Sequence, residues 1–411
     1  MQLMHVNEER LWDSLQAMAR FGATPAGGVT RLALSNEDRQ ARDLFCEWLR
    51  AAGLDVRVDD VGNIFGWREG AEPHLPPVLL GSHLDSVPSG GKYDGALGTL
   101  AALEVVRVFA EADIHLRRTI GAVAFTAEEG ARFEPSILGP SVITGRFTVD
   151  HVYSRPDVRT GVLFGHELAR IGYKGDIRGR SPRPRAFLEL HIEQGPQLDA
   201  ERLQIGVVEG IVGVKWFEIH FRGEATHAGT PPMATRRDAL HGAARFICDV
   251  RRLADTLGGT ALATCGRLRV EPDVINVVPG VAVLGLDIRH ADTAELERYT
   301  DTVRVLIQQV ADNEHLGFSY EAVQSLPATR FDETLVGLVE KAARTGGLRH
   351  KRMVGGIGHD SLWMARFCPT AMIFVPCRSG KSHCEDEDIS PEDAAAGADV
   401  LATVALELAQ S

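Results

Sequence analysis

Val78-Leu79-Leu80-Gly81-Ser82-His83-Leu84-Asp85, continuing to Ser89-Gly90-Gly91-Lys92-Tyr93-Asp94-Gly95, is the stretch that decides the fold. An apolar run ends abruptly in a histidine and an aspartate. A loop of small residues then delivers a second aspartate, and residues 98–112 read as a helix. The pattern recurs downstream. Glu128-Glu129-Gly130 follows the apolar run at 120–125, Leu190-His191-Ile192-Glu193-Gln194-Gly195 follows 186–190, and Ser382-His383 follows 371–375. In an open α/β sheet the ligand crevice lies beyond the carboxyl ends of the strands, so all four motifs are expected along one edge. Three histidines and several carboxylates there form the donor set that a pair of borderline divalent cations requires. The chemistry implied is that of a di-metal hydrolase.

The composition narrows the alternatives. A chain of 411 residues with 44% hydrophobic and 24% charged residues has room for two domains with separate cores. A net charge of −12 argues against nucleic acid or an anionic membrane as the main partner, since both need basic patches. Residues 1–21 carry Glu8, Glu9, Arg10 and Asp13 in an amphipathic pattern, unlike a signal peptide, and no run approaches the ~20 apolar residues of a membrane span. The six cysteines show no C-x-x-C pair and no framework spacing, so they read as free thiols in a reducing compartment. A cytoplasmic enzyme acting on a small molecule is the expectation.

Residues 35–52 read as a helix with Leu44, Phe45, Trp48 and Leu49 on one face, and residues 56–66 as a hairpin. Strand and helix alternate through the first 140 residues, the signature of an α/β sheet. From residue 213 the rhythm changes. Strands are expected at 215–221, 261–270, 281–289 and 318–322, with helices at 235–257 and 293–312. That β-α-β-β-α-β order is the ferredoxin-like pattern. The expected organisation is a discontinuous mixed-sheet α/β catalytic domain, residues 1–212 and 323–411, carrying an inserted α+β lid and dimerisation domain at 213–322.

Each motif has a bland reading, and coincidence decides against it. An isolated His-x-Asp is usually a solvated turn. Here His83 and Asp85 share a face of an extended segment, so Asp85 is expected to accept the imidazole N–H of a metal-ligating His83. Asp94 sits among glycines that let its carboxylate approach a metal. Adjacent carboxylates at a buried strand end repel unless one binds metal or keeps a proton. Glu129 is therefore assigned as a ligand and Glu128 as general base. His191 lies in an apolar run where most histidines are merely hydrogen-bonded, but Gln194 and Gly195 mark a strand end with polar groups facing outward. Cys384 is a rival ligand to its neighbour His383; adjacent residues on extended backbone point oppositely, and the histidine is preferred. In the second domain His227, Asn276 and Arg289 occupy loops and a strand end. They form a plausible substrate clamp, with the Arg289 fork suited to a carboxylate.

Together these residues resemble the carbamoylase and allantoate amidohydrolase branch of the aminoacylase-like di-metal hydrolases. The similarity runs through the GSHxDSVxxGGxYDG block from Gly81, EEGxRF at Glu128–Phe133, LHIEQG from Leu190, HAGTxPMxxRxDAL at His227–Leu240, NVVPG, DxR, Gly358-His359-Asp360 and SHxxxE from Ser382 to Glu387. The resemblance implies one metal held by His83, Asp94 and His191 and a second by Asp94, Glu129 and His383. It further implies that Glu128 is the base, that His227, Asn276, Arg289, Gln194, Gly358 and His359 meet substrate, and that a homodimer forms through the lid. The ions expected are Zn²⁺ first, with Mn²⁺, Co²⁺ and Ni²⁺ as alternatives. The activity implied is hydrolysis of an N-carbamoyl-L-amino acid or related ureido acid, with allantoate, β-ureidopropionate or N-acyl amino acids as alternative substrates. A metal-dead scaffold on the same fold would require a lost ligand, and none is missing. Ile357 departs from the branch's usual Ser-Gly-Ala-Gly-His-Asp segment near the expected substrate pocket.

Overall fold

The computed structural model describes residues 2–411, which fold as two compact units: the chain up to Glu209 with Arg330–Ser411, and Gly210–Thr329. In the first unit nine strands, counted among the described residues, form one mixed sheet. Four parallel strands make its centre, in the order Ile120–Phe125, Val78–His83, Ala186–Ile192 and Thr370–Val375. Antiparallel strands flank them, Ile64–Arg68 on one side and Ile205–Ile211 on the other. Every residue of the four central strands is buried, so they read as near-continuous apolar runs rather than as alternating ones.

Helices supply the cover. Ala96–Glu111 and Pro391–Gln410 pack against each other and against the central strands, and each is buried around most of its circumference. On one sheet face Leu79, Val123, Phe125 and Phe187 pack with Phe65, Trp67, Met364 and Cys368. The parallel register sets His83 beside Phe125 and His191 beside Phe374, so the carboxyl ends of all four strands lie on one edge. The motif-bearing loops leave from that edge. Among the described residues no helix is long and apolar enough to cross a membrane.

The second unit is an antiparallel sheet in the order Gly317–Leu326, Gly213–Arg222, Val281–His290 and Leu262–Glu271, with helices Ala239–Leu257 and Thr293–Asn313. Its core joins Phe217, Ile219, Phe221, Leu284, Leu286 and Ile288 to Phe246, Val250, Tyr299, Val303 and Ile307. Strand Val281–His290 alternates buried and half-buried residues, the period-two pattern of a sheet covered on one face. Two boundaries differ from expectation. The unit extends beyond 213–322 at both ends, because its last strand continues past Ala322 and pairs Ser325 with Lys215 and Leu326 with Val214; polar Gln324 and Ser325 conceal that extension in the sequence. The first helix starts at Ala239 rather than at 235, because Asp238 accepts the His241 N–H as its N-cap.

Candidate metal centre

Asp94 is the hub of the site. One carboxylate oxygen lies 3.5 Å from His83 Nε2 and 3.2 Å from His191 Nε2. The other lies 3.3 Å from His383 Nε2, which is itself 3.3 Å from the Glu129 carboxylate. Two donor groups result, His83–Asp94–His191 and Asp94–Glu129–His383, each with its ligand atoms within 4.8 Å of one another. Cys384 belongs to neither among the described residues. Gly95 makes the convergence feasible. It sits at φ 65°, and a Cβ there would lie 2.3 Å from the His83 ring, so any side chain would push the Asp94 loop off the histidine.

The imidazoles are oriented by main-chain carbonyls. His83 Nδ1 lies 3.0 Å from the carbonyl of Asp85, and His191 Nδ1 lies 2.9 Å from that of Ile192. A carbonyl only accepts, so in each neutral ring Nδ1 carries the hydrogen and Nε2 turns its lone pair to the Asp94 side, where that of His191 also accepts the Gly95 N–H at 3.2 Å. This is the tautomer a metal ligand needs. It also corrects the expected role of Asp85. Its carboxylate is 3.8 Å from His83 Nδ1 and instead accepts the main-chain N–H groups of Glu128 and Glu129, both at 3.2 Å. The backbone carbonyl of Asp85 steers the histidine, while its side chain holds the glutamate pair.

The electrostatics ask for a cation. Lone pairs of two imidazoles face a carboxylate in a buried volume, and one buried oxygen of Glu129 has no hydrogen-bond partner. Burial works against charge on His83, but the Glu128, Asp94 and Asp85 carboxylates outweigh it and raise its proton affinity well above normal. Burial, then Asp94 and Glu128, push Glu129 far up. Burial, reinforced by Asp85, Asp94 and Glu189 and opposed by His83, carries Glu128 up to about 7. Excess negative charge around ordered lone pairs is what a divalent metal relieves, and the donor set fits one. Glu128 lies 3.7 Å from His83 Nε2, beside both triads and in neither.

The remaining expected residues divide by unit. Gln194, at φ 55°, donates to Asp94 at 2.6 Å. His359 is buried with its ring 4.4 Å from that of His191, and its Nε2 has no partner. His227, Asn276 and Arg289 belong to the second unit. There His227 pairs with Val277, and the Asn276 carbonyl accepts the Ala228 N–H at 2.8 Å. The Gly229 N–H points into His227 Nδ1 at 3.1 Å; in the neutral ring this puts the proton on Nε2. Arg289 engages its own strand neighbour Asp287 with both arms of its fork, at 3.0 and 2.8 Å.

Several groups were given no role in the sequence reading, although Glu387 closes the SHxxxE block. Glu387 receives the N–H groups of Tyr93 and Asp94, and Ser382 connects Glu387 to Asp94. Glu189 accepts from Ser82 and twice from Ser361 beneath the metal groups. Glu189 stands two residues before His191, hence on the same strand face, and that spacing was the available signal. Arg31 is buried and donates to the carbonyls of Leu84, Met18 and Phe21; nothing in its local sequence marks it.

Comparison with known proteins gives the family. The model of peptidase family M20/M25/M40 matches residues 79–407. The chain is 42% identical to an N-carbamoyl-L-amino-acid amidohydrolase of Rhizobium meliloti, over 98% of this chain and 97% of that one. It is 33% identical to an allantoate amidohydrolase of Bacillus subtilis strain 168, over 97% of each. A solved amidase of the hydantoinase/carbamoylase family from Burkholderia multivorans superimposes with a TM-score of 0.96 at 42% identity, covering 99% of both chains. A buried His/carboxylate centre on the carboxyl edge of a mixed sheet, in a chain matched nearly end to end, places this protein in peptidase family M20/M25/M40, on its hydantoinase/carbamoylase amidohydrolase branch.

Proposed function

We propose that the protein hydrolyses the carbamoyl C–N bond of an N-carbamoyl-L-amino acid or closely related ureido acid. In balance, R–NH–CO–NH₂ and water give R–NH₂, carbon dioxide and ammonia. The observation that carries this reading is the pair of donor groups sharing Asp94, with Glu128 beside both and in neither. Two divalent ions are assigned, one to His83, Asp94 and His191 and one to Asp94, Glu129 and His383. Zn²⁺ leads on ligand type, and Mn²⁺, Co²⁺ and Ni²⁺ accept the same set. When bound, such ions supply Lewis-acid polarisation of the carbonyl and acidify water.

The chain's own residues do the rest. Glu128 takes the proton of the attacking water on its carboxylate and returns it to the leaving amine. Its burial, which raises its basicity, suits both transfers. His227 donates from Nε2 to the oxygen that becomes negative in the tetrahedral intermediate. Arg289 binds the substrate carboxylate, exchanging Asp287 for it, and Asn276, Gln194, Gly358 and His359 complete the pocket. The working unit is a homodimer formed through Gly210–Thr329. That unit carries most of the large exposed apolar side chains of the described residues, among them Leu262, Leu268, Val274, Ile275, Tyr320 and Val323, and such surface marks association sites.

Allantoate hydrolysis is the second reading, favoured by the Bacillus subtilis relative. Ammonia release should be measured over a panel of N-carbamoyl amino acids, allantoate, β-ureidopropionate and N-acetyl amino acids, with each metal restored in turn. Preference for N-carbamoyl-L-amino acids is expected. Turnover confined to allantoate or to N-acetyl substrates overturns the leading assignment.

A further inference from the structure

A strained segment near the site lies in the loop that carries Glu128 and Glu129. Ala127 stands at φ 56°, and Ile137 closes the loop at φ 62° and ψ 45°. A β-branched residue in the left-handed region is a steric outlier, because its Cβ crowds the following carbonyl. Such strain persists only where the surroundings over-determine it. Here they do. Ile137 N–H donates to the Glu128 carbonyl at 2.7 Å, Leu138 to Ala127 at 3.1 Å and Gly139 to Thr126 at 2.8 Å. Three consecutive hydrogen bonds fold 137–139 back onto 126–128.

A glycine at 137 would adopt this backbone without strain, and the chain keeps isoleucine. The side chain is 4% exposed and reaches the turn before His359. A Cβ built on Gly358 would lie 3.2 Å from Ile137 Cδ1 and 3.5 Å from Leu362 Cδ2. Its neighbour His359 lies with its ring 4.4 Å from that of His191, tilted by 57°. One residue thus touches the Glu128 loop through its backbone and the Gly358–His359 turn through its side chain.

We propose that Ile137 is a positioning residue that clamps the Glu128 loop to the Gly358–His359 turn and so fixes the general base relative to the His191 side of the site. The inference deepens the hydrolase reading and rests on it for its kinetic consequence. The clamp itself is independent of that reading.

Two complementary substitutions test the clamp. Ile137→Val removes only the Cδ1 methyl that meets Gly358. Gly358→Ala adds a methyl into the same space, at a backbone position with no left-handed φ. Ile137→Val alone should lower kcat by roughly tenfold with KM changed less than about twofold, as small misplacements of catalytic groups do; Gly358→Ala, which stands in the proposed substrate pocket, should lower kcat by a similar factor and is read on kcat alone. Each should keep its metal content. The double variant, with the methyl moved across the contact, should recover most of the lost kcat. Losses that simply multiply in the double variant, or a fall in melting temperature with kcat intact, overturn the proposal. Amide hydrogen exchange of the metal-free protein gives the readout without activity. In Ile137→Val, exchange should quicken at 127–139 and 358–360 together; quickening at 127–139 alone overturns the coupling. If the parent enzyme turns over no ureido or amide substrate, the functional reading fails, while the exchange result still decides the clamp.

Discussion

Glu387 and Asp94 are joined twice. A Glu387 oxygen accepts the Asp94 main-chain N–H at 3.1 Å, and the Ser382 hydroxyl lies 2.9 Å from the Glu387 carboxylate and 3.0 Å from that of Asp94. A hydroxyl has one hydrogen, so one of these two contacts needs a proton on a carboxyl group. Glu387 supplies it most readily, since burial first and Asp94 second push it up to about 7. A neutral amide meets the same demands: its oxygen accepts from Tyr93 and Asp94, and its NH₂ donates to Ser382. Glu387→Gln should therefore keep metal content and most of kcat/KM, whereas Glu387→Ala should lose metal affinity by about 10–100-fold, as removal of a ligand's supporting partner does. Metal titration separates the two, and equal damage in both variants means the charge itself is required.

The adjacent glutamates should separate by metal content. Chelation is expected to abolish turnover and a divalent ion to restore it. Glu128→Gln should keep both metals and lose several orders of magnitude in kcat, because it removes only the proton acceptor. Glu129→Gln should lose or weaken one metal. Elemental analysis of the two purified variants reads this directly, and matching metal loss in both reverses the assignment.

Arg132 ties the same loop to the body of its unit through Asp157, Glu167 and the carbonyl of Ala33, at 2.7, 2.6 and 2.9 Å. Burial alone would raise the Asp157 carboxyl, but Arg132 and the N–H groups of Arg159 and Thr160 outweigh it and hold it at about 2. A depressed carboxylate contributes stability that is present above its unfolded value of ~3.9 and is lost as pH falls towards 2. In Arg132→Ala the guanidinium that holds Asp157 ionised is gone, so the acid unfolding midpoint should move to higher pH. Circular dichroism across pH 2–6 checks it; an unmoved midpoint shows that Asp157 does not govern this loop.

Arg289 shares its guanidinium with Asp287. Arg289→Lys keeps the charge and loses the fork. Charge-assisted hydrogen bonds are worth about 1.5–3 kcal/mol each, so kcat/KM on carboxylated substrates should fall by more than about tenfold. Amidated substrates should change little. A matching fall on both confines Arg289 to holding Asp287.

Legibility in the sequence followed the range of each interaction. His83 and His191 were visible because each stands at the end of an apolar run, and Asp94, Glu129 and His383 because each lies in the loop that follows one; parallel strands put such ends together by rule. Asp85 was visible as a residue and misread as a partner, because the choice between its carboxylate and its carbonyl depends on the Glu128–Glu129 turn, 43 residues on. Arg31 was silent, Glu387 was visible only as the end of the SHxxxE block with no role attached, and Ile137 was silent, all for the same reason. Their partners are a strand-end carbonyl, a loop 293 residues away and a glycine beyond the second unit, and no local pattern encodes such pairings. Gln324 and Ser325 hid a strand end because edge strands tolerate polar residues on both faces.

His227 carries the last prediction, that the second unit supplies a catalytic hydrogen bond to the partner's metal centre in a dimer. Its side chain is exposed, and Gly229 N–H into Nδ1 leaves the neutral ring's proton on Nε2. A tetrahedral intermediate gains most from a donor already oriented towards the oxygen where charge develops. Helix capping is not its task, because Asp238 fills that role. Chains carrying His227→Ala and chains carrying Glu128→Gln should each be inactive as homodimers. Mixed after subunit exchange, a heterodimer contains one site with wild-type Glu128 facing a partner with wild-type His227. Activity should reappear with a KM like that of the parent, since the rebuilt site lacks nothing. If His227 acts within its own chain, every site in the mixture lacks one of the two groups and the mixture stays silent. Native mass spectrometry establishes that heterodimers are present, and their presence without recovered turnover rules out the assignment to the partner's site.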